Sequence, residues 1–247
     1  MVNGLLARGL SPEHSPPPAP ELTDAELLKQ FAAGRDEEAF TALVRRHGPM
    51  VLGVCRRVLR DRNDAEEAFQ LTFLVLVRKA PELRHADRLA GWLYGVADRV
   101  ARKARVAAAR REAHERAASP GRVAVDGADP ARQEVRDVLD EEMGTLPEKY
   151  RAPLVLCYLE GLTNEAAARR LGWAPGSMSY RLARGRELLK RRLTRRGVCL
   201  ASFPFGLAVT EGSASAAEVP EPLVKATVDR ALKESPEAPP VAAGHRR

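Results

Sequence analysis

Residues 146–193 read LPEKYRAPLVLCYLEGLTNEAAARRLGWAPGSMSYRLARGRELLKRRL, and their boundaries predict three helices, the last two joined by a tight turn. Pro147 suits a first helical position, where its missing N–H would have no partner anyway. Gly161 closes that helix in the left-handed conformation that glycine takes without strain. Thr163 then caps a short second helix through its hydroxyl, with Glu165 in the first turn against the helix dipole. Gly172 ends the second helix after Leu171, and only Gly172, Trp173 and Ala174 precede a third helix opening at Pro175. A connection this short makes the two helices cross steeply, as in a helix-turn-helix. Pro153 conflicts with a regular first helix, because an interior proline removes a backbone hydrogen bond at a cost of about 3 kcal/mol, so a kink or a late start is expected there.

The third helix separates its faces. Met178, Leu182, Gly185, Leu189 and Leu193 recur at helical spacing as a narrow apolar stripe, which predicts packing on the first two helices. Ser177, Tyr180, Arg181 and Arg184 fall on the other side at i, i+3, i+4 and i+7. From Gly176 to Gly197 the chain has eight Arg or Lys and one acid, a net charge equal to the formal +7 of all 247 residues. Residues 98–122 add a second basic island, with eight basic residues and three acids, so the remainder of the chain is net acidic. A solvated helix face normally mixes signs; one sign only points to a polyanion partner.

Composition fits a mostly helical chain of one or two domains: 45% of residues are hydrophobic, enough for real cores, and only 5% are aromatic. Cys55, Cys157 and Cys199 are odd in number, widely spaced and without metal-ligand neighbours, and read as reduced thiols of a cytoplasmic protein. No signal peptide and no run of about 18 apolar residues is present. No catalytic constellation, metal cluster or phosphate-binding glycine loop stands out, so neither a cofactor nor an enzymatic activity is expected.

Upstream, residues 1–22 contain the proline-rich run SPEHSPPPAP and read as a disordered leader. Thr23 caps a first helix with Leu27, Leu28 and Phe31. A second, from near Asp36, carries Phe40, Leu43 and Val44 and is expected to stop at His47 and Gly48, with Pro49 opening a third that holds Cys55 on its apolar face. The polar run at 61–64 caps the helix DAEEAFQLTFLVLVRKA. Its inner stripe is Phe69, Thr72, Phe73 and Leu76, and its outer side shows Asp64, Glu67, Gln70, Leu71 and Leu74. That mixture suits either an ordinary helix with surface leucines or a protein-docking face, and composition does not choose between them. After a polar connection at 81–90 comes GWLYGVADRVARKARVAAARREA, in which Trp92, Leu93, Val96 and Val100 anchor the start and Arg99, Arg102, Lys103 and Arg105 begin the basic part. An aromatic anchor leading into a basic helix can hold single-stranded nucleic acid by stacking and phosphate attraction. SPGRVAVDGADP is a linker, and past Gly197 the composition shifts to Ala, Pro, Ser and Glu, with PEPLVKATVDRALKES able to form one amphipathic helix in an otherwise disordered tail.

DAEEAFQLTF, then LAGWLYGVADRVARKAR, a linker, and LPEKYRAPLVLCYLEGLTNEAAARRLG followed by a basic helix, in that order, resemble the bacterial RNA polymerase sigma factors of the extracytoplasmic-function (ECF) class. The resemblance implies an all-α fold of two small domains: region 2 over 23–112 and region 4 over 133–197, joined by a linker over 113–132 and followed by a mostly disordered extension, 198–247. It implies that Asp64, Glu67, Gln70, Leu71 and Leu74 dock on core RNA polymerase at the β′ clamp. Arg88, Trp92, Arg99, Arg102 and Lys103 would open the minus-ten promoter element, and Ser177, Ser179, Tyr180, Arg181 and Arg184 would read the minus-thirty-five element. Implied partners are core polymerase (β′ clamp and β flap), promoter DNA and, as is usual for the class, an anti-sigma factor, with the free protein monomeric. Ala166 and Ala167 replace the larger aliphatic residue and the acid frequent in the family, and Ser179-Tyr180 replaces a frequent basic-small pair. The competing reading is a helix-turn-helix repressor or activator that is not a sigma subunit.

Overall fold

A computed structural model describes residues 22–59, 61–83, 86–118, 130–198 and 218–234. The expected leader, most of the linker and most of the tail lie outside the described residues, among which there is no strand and no helix long and apolar enough to cross a membrane. The helices are α1 (Asp24–Gly34), α2 (Glu37–Val58), α3 (Arg62–Lys79), α4 (Leu89–Ala118), α5 (Pro130–Thr145), α6 (Glu148–Leu154), α7 (Asn164–Leu171), α8 (Pro175–Arg195) and α9 (Glu221–Lys233).

Local chemistry sets most of the boundaries. Thr23 and Glu26 form a reciprocal capping box on α1, the Asp61 carboxylate accepts from the Asp64 amide at the start of α3, and the Thr163 hydroxyl accepts from the Ala166 amide at the start of α7. Gly172 closes α7 at φ 63°, a conformation that costs other residues a Cβ clash. Pro147 is the N-cap of α6 and not its first residue. Just past Pro153 the regular helix gives way to a π turn over Val155–Leu159, so the helix changes character where the sequence conflict falls.

A larger boundary is corrected too. α2 runs unbroken from Glu37 to Val58 with Pro49 inside it. The apolar face continues on both sides of the proline: Phe40, Leu43 and Val44 precede it and Val51, Leu52, Val54, Cys55 and Val58 follow, all buried. Burying such a side chain is worth about 1.5–3 kcal/mol, so the continuous face outweighs the one lost hydrogen bond.

α2, α3 and α4 pack as a three-helix core with α1 across it, centred on Phe31, Phe40, Phe69 and Phe73. α5, α6, α7 and α8 form the second unit. The two are not held apart: one continuous set of buried apolar residues runs from Leu27 to Ala231. α4 passes directly against α6, where a Cβ on Gly91 would lie 2.9 Å from the Ala152 backbone, so only glycine allows the approach. α9 returns to pack on α2 and α3.

Candidate nucleic-acid interface

α8 presents the face its sequence implies. Met178, Leu182, Gly185, Leu189 and Leu193 are all buried, and Gly185 lets the helix sit on the Tyr150 carbonyl. Ser179, Tyr180 and Arg184 are exposed, Tyr180 by 67%, and Ser177 is half-buried beside them. Ala174 provides no side-chain cap, which leaves the first-turn N–H groups of α8 open to a phosphate. Arg181 is half-buried, its guanidinium 3.9 Å from the centroid of the Trp173 ring. Trp173, a turn residue, was not singled out by its sequence position, but a tryptophan in the turn of a helix-turn-helix, eight residues before an arginine of the following helix, was a readable signal.

α4 is covered where α8 is open. Arg102 donates from Nε to Asp98 (2.8 Å) and from Nη2 to the Asp137 carbonyl of α5 (3.0 Å), and Arg105 pairs with the Asp137 carboxylate at 2.8 Å. Arg88 pairs with Asp87 at 3.5 Å and lies 5.7 Å from the same Trp173 ring that holds Arg181. Trp92 is half-buried against the core, whereas Arg99 and Lys103 are exposed.

The cover is held by buried polar bonds between the two units. Asp140 of α5 accepts from Arg57 Nε (3.0 Å) and Nη2 (3.2 Å) and from the Tyr94 hydroxyl (2.7 Å). Burial and the Asp140 charge hold the Tyr94 hydroxyl in its neutral form well past its ordinary range. Arg151 donates only to carbonyls: Nε to Gly91 (2.7 Å), and Nη1 to Gly144 (2.7 Å) and Leu146 (3.1 Å). Its burial pulls its pKa below the ordinary arginine value. His47 of α2 sits between carboxylates of both units, with Nε2 3.0 Å from Asp24 and Nδ1 2.9 Å from Glu160. Burial opposes a charge on this ring, but Asp24 and Glu160 overcome it and push the pKa up to about 9. Asp24 is held well below the usual carboxylate range: burial alone would raise it, and His47, Arg170 and Arg46 reverse the sign. Cys55 lies fully buried and its thiol is pushed up to about 12 by burial, an inert core group.

On the far side of α4, Asp64, Glu67, Leu71 and Leu74 line one groove of about 690 Å³ between α3 and α4, floored by Ala68, Val75, Val100 and Ala104. Leu74, expected on the outer side of its helix, is only 5% exposed, because it packs as part of the continuous apolar core. Gln70 stands at the rim and accepts from Arg230 of α9 at 3.1 Å. Lys103 lines this groove too, away from Arg88 and Arg102. Arg230, Lys233 and Glu234 complete the wall, which the sequence did not suggest: its spacing indicated a helix there, not the place where it lands.

A helix-turn-helix with a strongly basic third helix, packed against a second helical unit that carries a basic helix of its own, is the arrangement of a DNA-binding protein. Two sigma-factor profiles match the chain, Sigma-70 region 2 over residues 43–111 and Sigma-70, region 4 over residues 136–189. The RNA polymerase sigma factor CarQ of Myxococcus xanthus is 32% identical over 174 residues, covering 67% of this chain and 95% of that protein. The ECF RNA polymerase sigma factor SigM of Mycobacterium tuberculosis is 33% identical over 179 residues, 70% of this chain and 86% of that one. SigK of a Mycobacterium species is 34% identical over 189 residues, 69% and 91%. The chain belongs to the ECF class of the sigma-70 family, the promoter-recognising subunits of bacterial RNA polymerase.

Proposed function

We propose that the ECF fold is used here through three sets of residues, of which Lys103 of the second lines the groove of the third and Arg88 and Arg181 of the second and first flank one Trp173 ring. Ser177, Ser179, Tyr180, Arg181 and Arg184 read the minus-thirty-five element. Arg88, Trp92, Arg99, Arg102 and Lys103 hold the opened minus-ten strand. Asp64, Glu67, Gln70, Leu71 and Leu74 dock on the β′ clamp, with region 4 reaching the β flap. The domain limits are 23–112 and 133–197, with the linker between them. The protein works in the cytoplasm as a monomer until core polymerase takes it up, in a stress or envelope response held in check by an anti-sigma factor.

The observation that carries this reading is the division of α8: its apolar stripe is buried, and Ser179, Tyr180 and Arg184 of its reading face stand in solvent. Arginine can make a bidentate contact to guanine worth about 1–3 kcal/mol of discrimination, and its neighbours hold phosphate without reading sequence.

Geometry adds one requirement. Arg88 and Arg181 lie 5.7 and 3.9 Å from one indole centroid, so their guanidinium carbons are at most about 10 Å apart. The two promoter elements are separated by about 25 base pairs, roughly 85 Å at ~3.4 Å per pair. Both residues cannot meet their elements in this arrangement, so the two units must part in the holoenzyme.

The test is transcription in vitro with core polymerase and this protein on a fragmented genomic library, followed by mapping of transcript starts. Discrete starts sharing two upstream elements are the expected result. Tight, sequence-specific binding to duplex DNA without polymerase, and no starts with it, would return the repressor reading.

A further inference from the structure

We propose that α9 is a built-in regulator of the groove between α3 and α4: in its docked position it withholds the surface on which core polymerase lands, and loading requires it to leave. The proposal rests on the reading of that groove as the polymerase-docking face.

α9 lies beyond both family matches, the second of which ends at residue 189. It is nonetheless packed as a part of the fold. Val219, Leu223, Val224, Thr227, Val228 and Ala231 are buried along one side, at the spacing of an amphipathic helix face. The seat is shaped for it. A Cβ on Gly48 would stand 2.8 Å from a Val219 methyl, so the middle of α2 keeps a helix-weakening glycine at the point where the tail lies on it.

The polar contacts tie α9 to the docking face. At its start Glu221 pairs with Arg45 at 2.8 Å. At its end Arg230 donates to Gln70, Arg78 pairs with the Glu234 carboxylate and Arg35 donates to the Glu234 carbonyl. Gln70 is a docking residue, and Arg230, Lys233 and Glu234 form the groove wall facing Asp64, Glu67, Leu71 and Leu74. A polymerase helix laid on α3 therefore meets two cations and an occupied glutamine. Arg45 and Glu221 keep 60% and 69% of their side chains in solvent, and such an exposed pair holds weakly, so the polar start of α9 can release while the apolar face sets the resting position. Tethering in the same chain keeps α9 at high effective concentration whatever the protein's own concentration.

The measurement is hydrogen exchange on the full chain, free and bound to core polymerase, combined with core affinity of the full-length V224D/V228D double variant, whose α9 cannot stay seated. α9 amides are expected to be protected in the free chain and to lose protection in the complex. If docking leaves only about 1–10% of the chain competent, releasing α9 tightens apparent core binding by about 10–100-fold. Protection that stays or rises on binding, or a released variant that binds core no better than the parent, overturns the proposal. The exchange experiment needs no substitution and decides the matter even if the variant folds poorly. Leu71→Asp separates the two ideas: it should abolish core binding in either background, and if it does not, the docking-face reading has failed and not the regulation by α9.

Discussion

α4 and α8 are both basic helices, but one is covered and the other is open. Arg102 and Arg105 of α4 are bonded to Asp98 and Asp137. On α8 the acids lie toward the far end, with Glu187 on Arg191 and Glu142 near Arg192, while Tyr180 and Arg184 stand in solvent. The difference lies in the neighbour: α5 brings Asp137 and Asp140 against α4, and nothing comparable crosses the first turns of α8 among the described residues. In the free chain the proposed reading residues Tyr180 and Arg184 of α8 are therefore open to a ligand, whereas Arg102 of the proposed minus-ten set is engaged by Asp98 and the Asp137 carbonyl.

The largest expected effect comes from Asp140→Ala. It leaves Arg57 and Tyr94 without their shared buried acceptor, and removing one partner of a buried pair costs about 3–5 kcal/mol. Chemical denaturation should record that loss, and hydrogen exchange should show α5 leaving α4. A loss under about 1 kcal/mol would mean that the cover on α4 is held elsewhere. Next in size, Arg184→Ala should remove about 1–3 kcal/mol of promoter discrimination in the holoenzyme and should also weaken DNA binding by the free chain. Arg102→Ala should reduce promoter opening by the holoenzyme yet leave DNA binding by the free chain unchanged, because there the residue is bonded to Asp137. Equal effects of both variants on the free chain would erase the contrast between the helices.

Much of α8 was legible because its causes are local: a proline at the first position, a glycine closing the preceding helix, and a stripe at helical spacing. The same holds for the caps at Thr23, Asp61 and Thr163. Residues whose role depends on the other half of the chain were not legible. Asp140, Arg151 and His47 look like ordinary surface charges in the sequence, and only the packing of α5 and α6 on α2 and α4 buries them. Likewise, α2 continues through Pro49 because buried neighbours on both sides stabilise it, which no local rule at Gly48-Pro49 expresses. The tail's amphipathic period announced a helix but held no information on its seat.

The pH dependence sharpens the comparison further. The folded pKa of His47 is raised to about 9 from an unperturbed value of about 6.5. Its contribution to the contact between the units is thus complete below about pH 6.5 and is lost as pH rises through about 9. Asp24 has the opposite sign: its contribution is present at neutral pH and is lost in acid. Melting curves should show less stability at pH 9.5 than at pH 7, and His47→Gln should remove that difference; an unchanged difference in the variant would assign it to other groups. The smallest effect is expected from Thr163→Ala, which removes the cap of α7 at a cost of about 1 kcal/mol, read as a modest fall in melting temperature with promoter choice unaltered.

The most direct measurement is the distance between labels at Glu82, just past the end of α3, and Lys190 on α8, both exposed, in the free protein and in the promoter-bound holoenzyme. A closed free chain that opens on loading gives a single well-defined distance when free and an increase of several tens of Å when bound, the order expected if the two units reach promoter elements roughly 85 Å apart. The same distance in both states would contradict it.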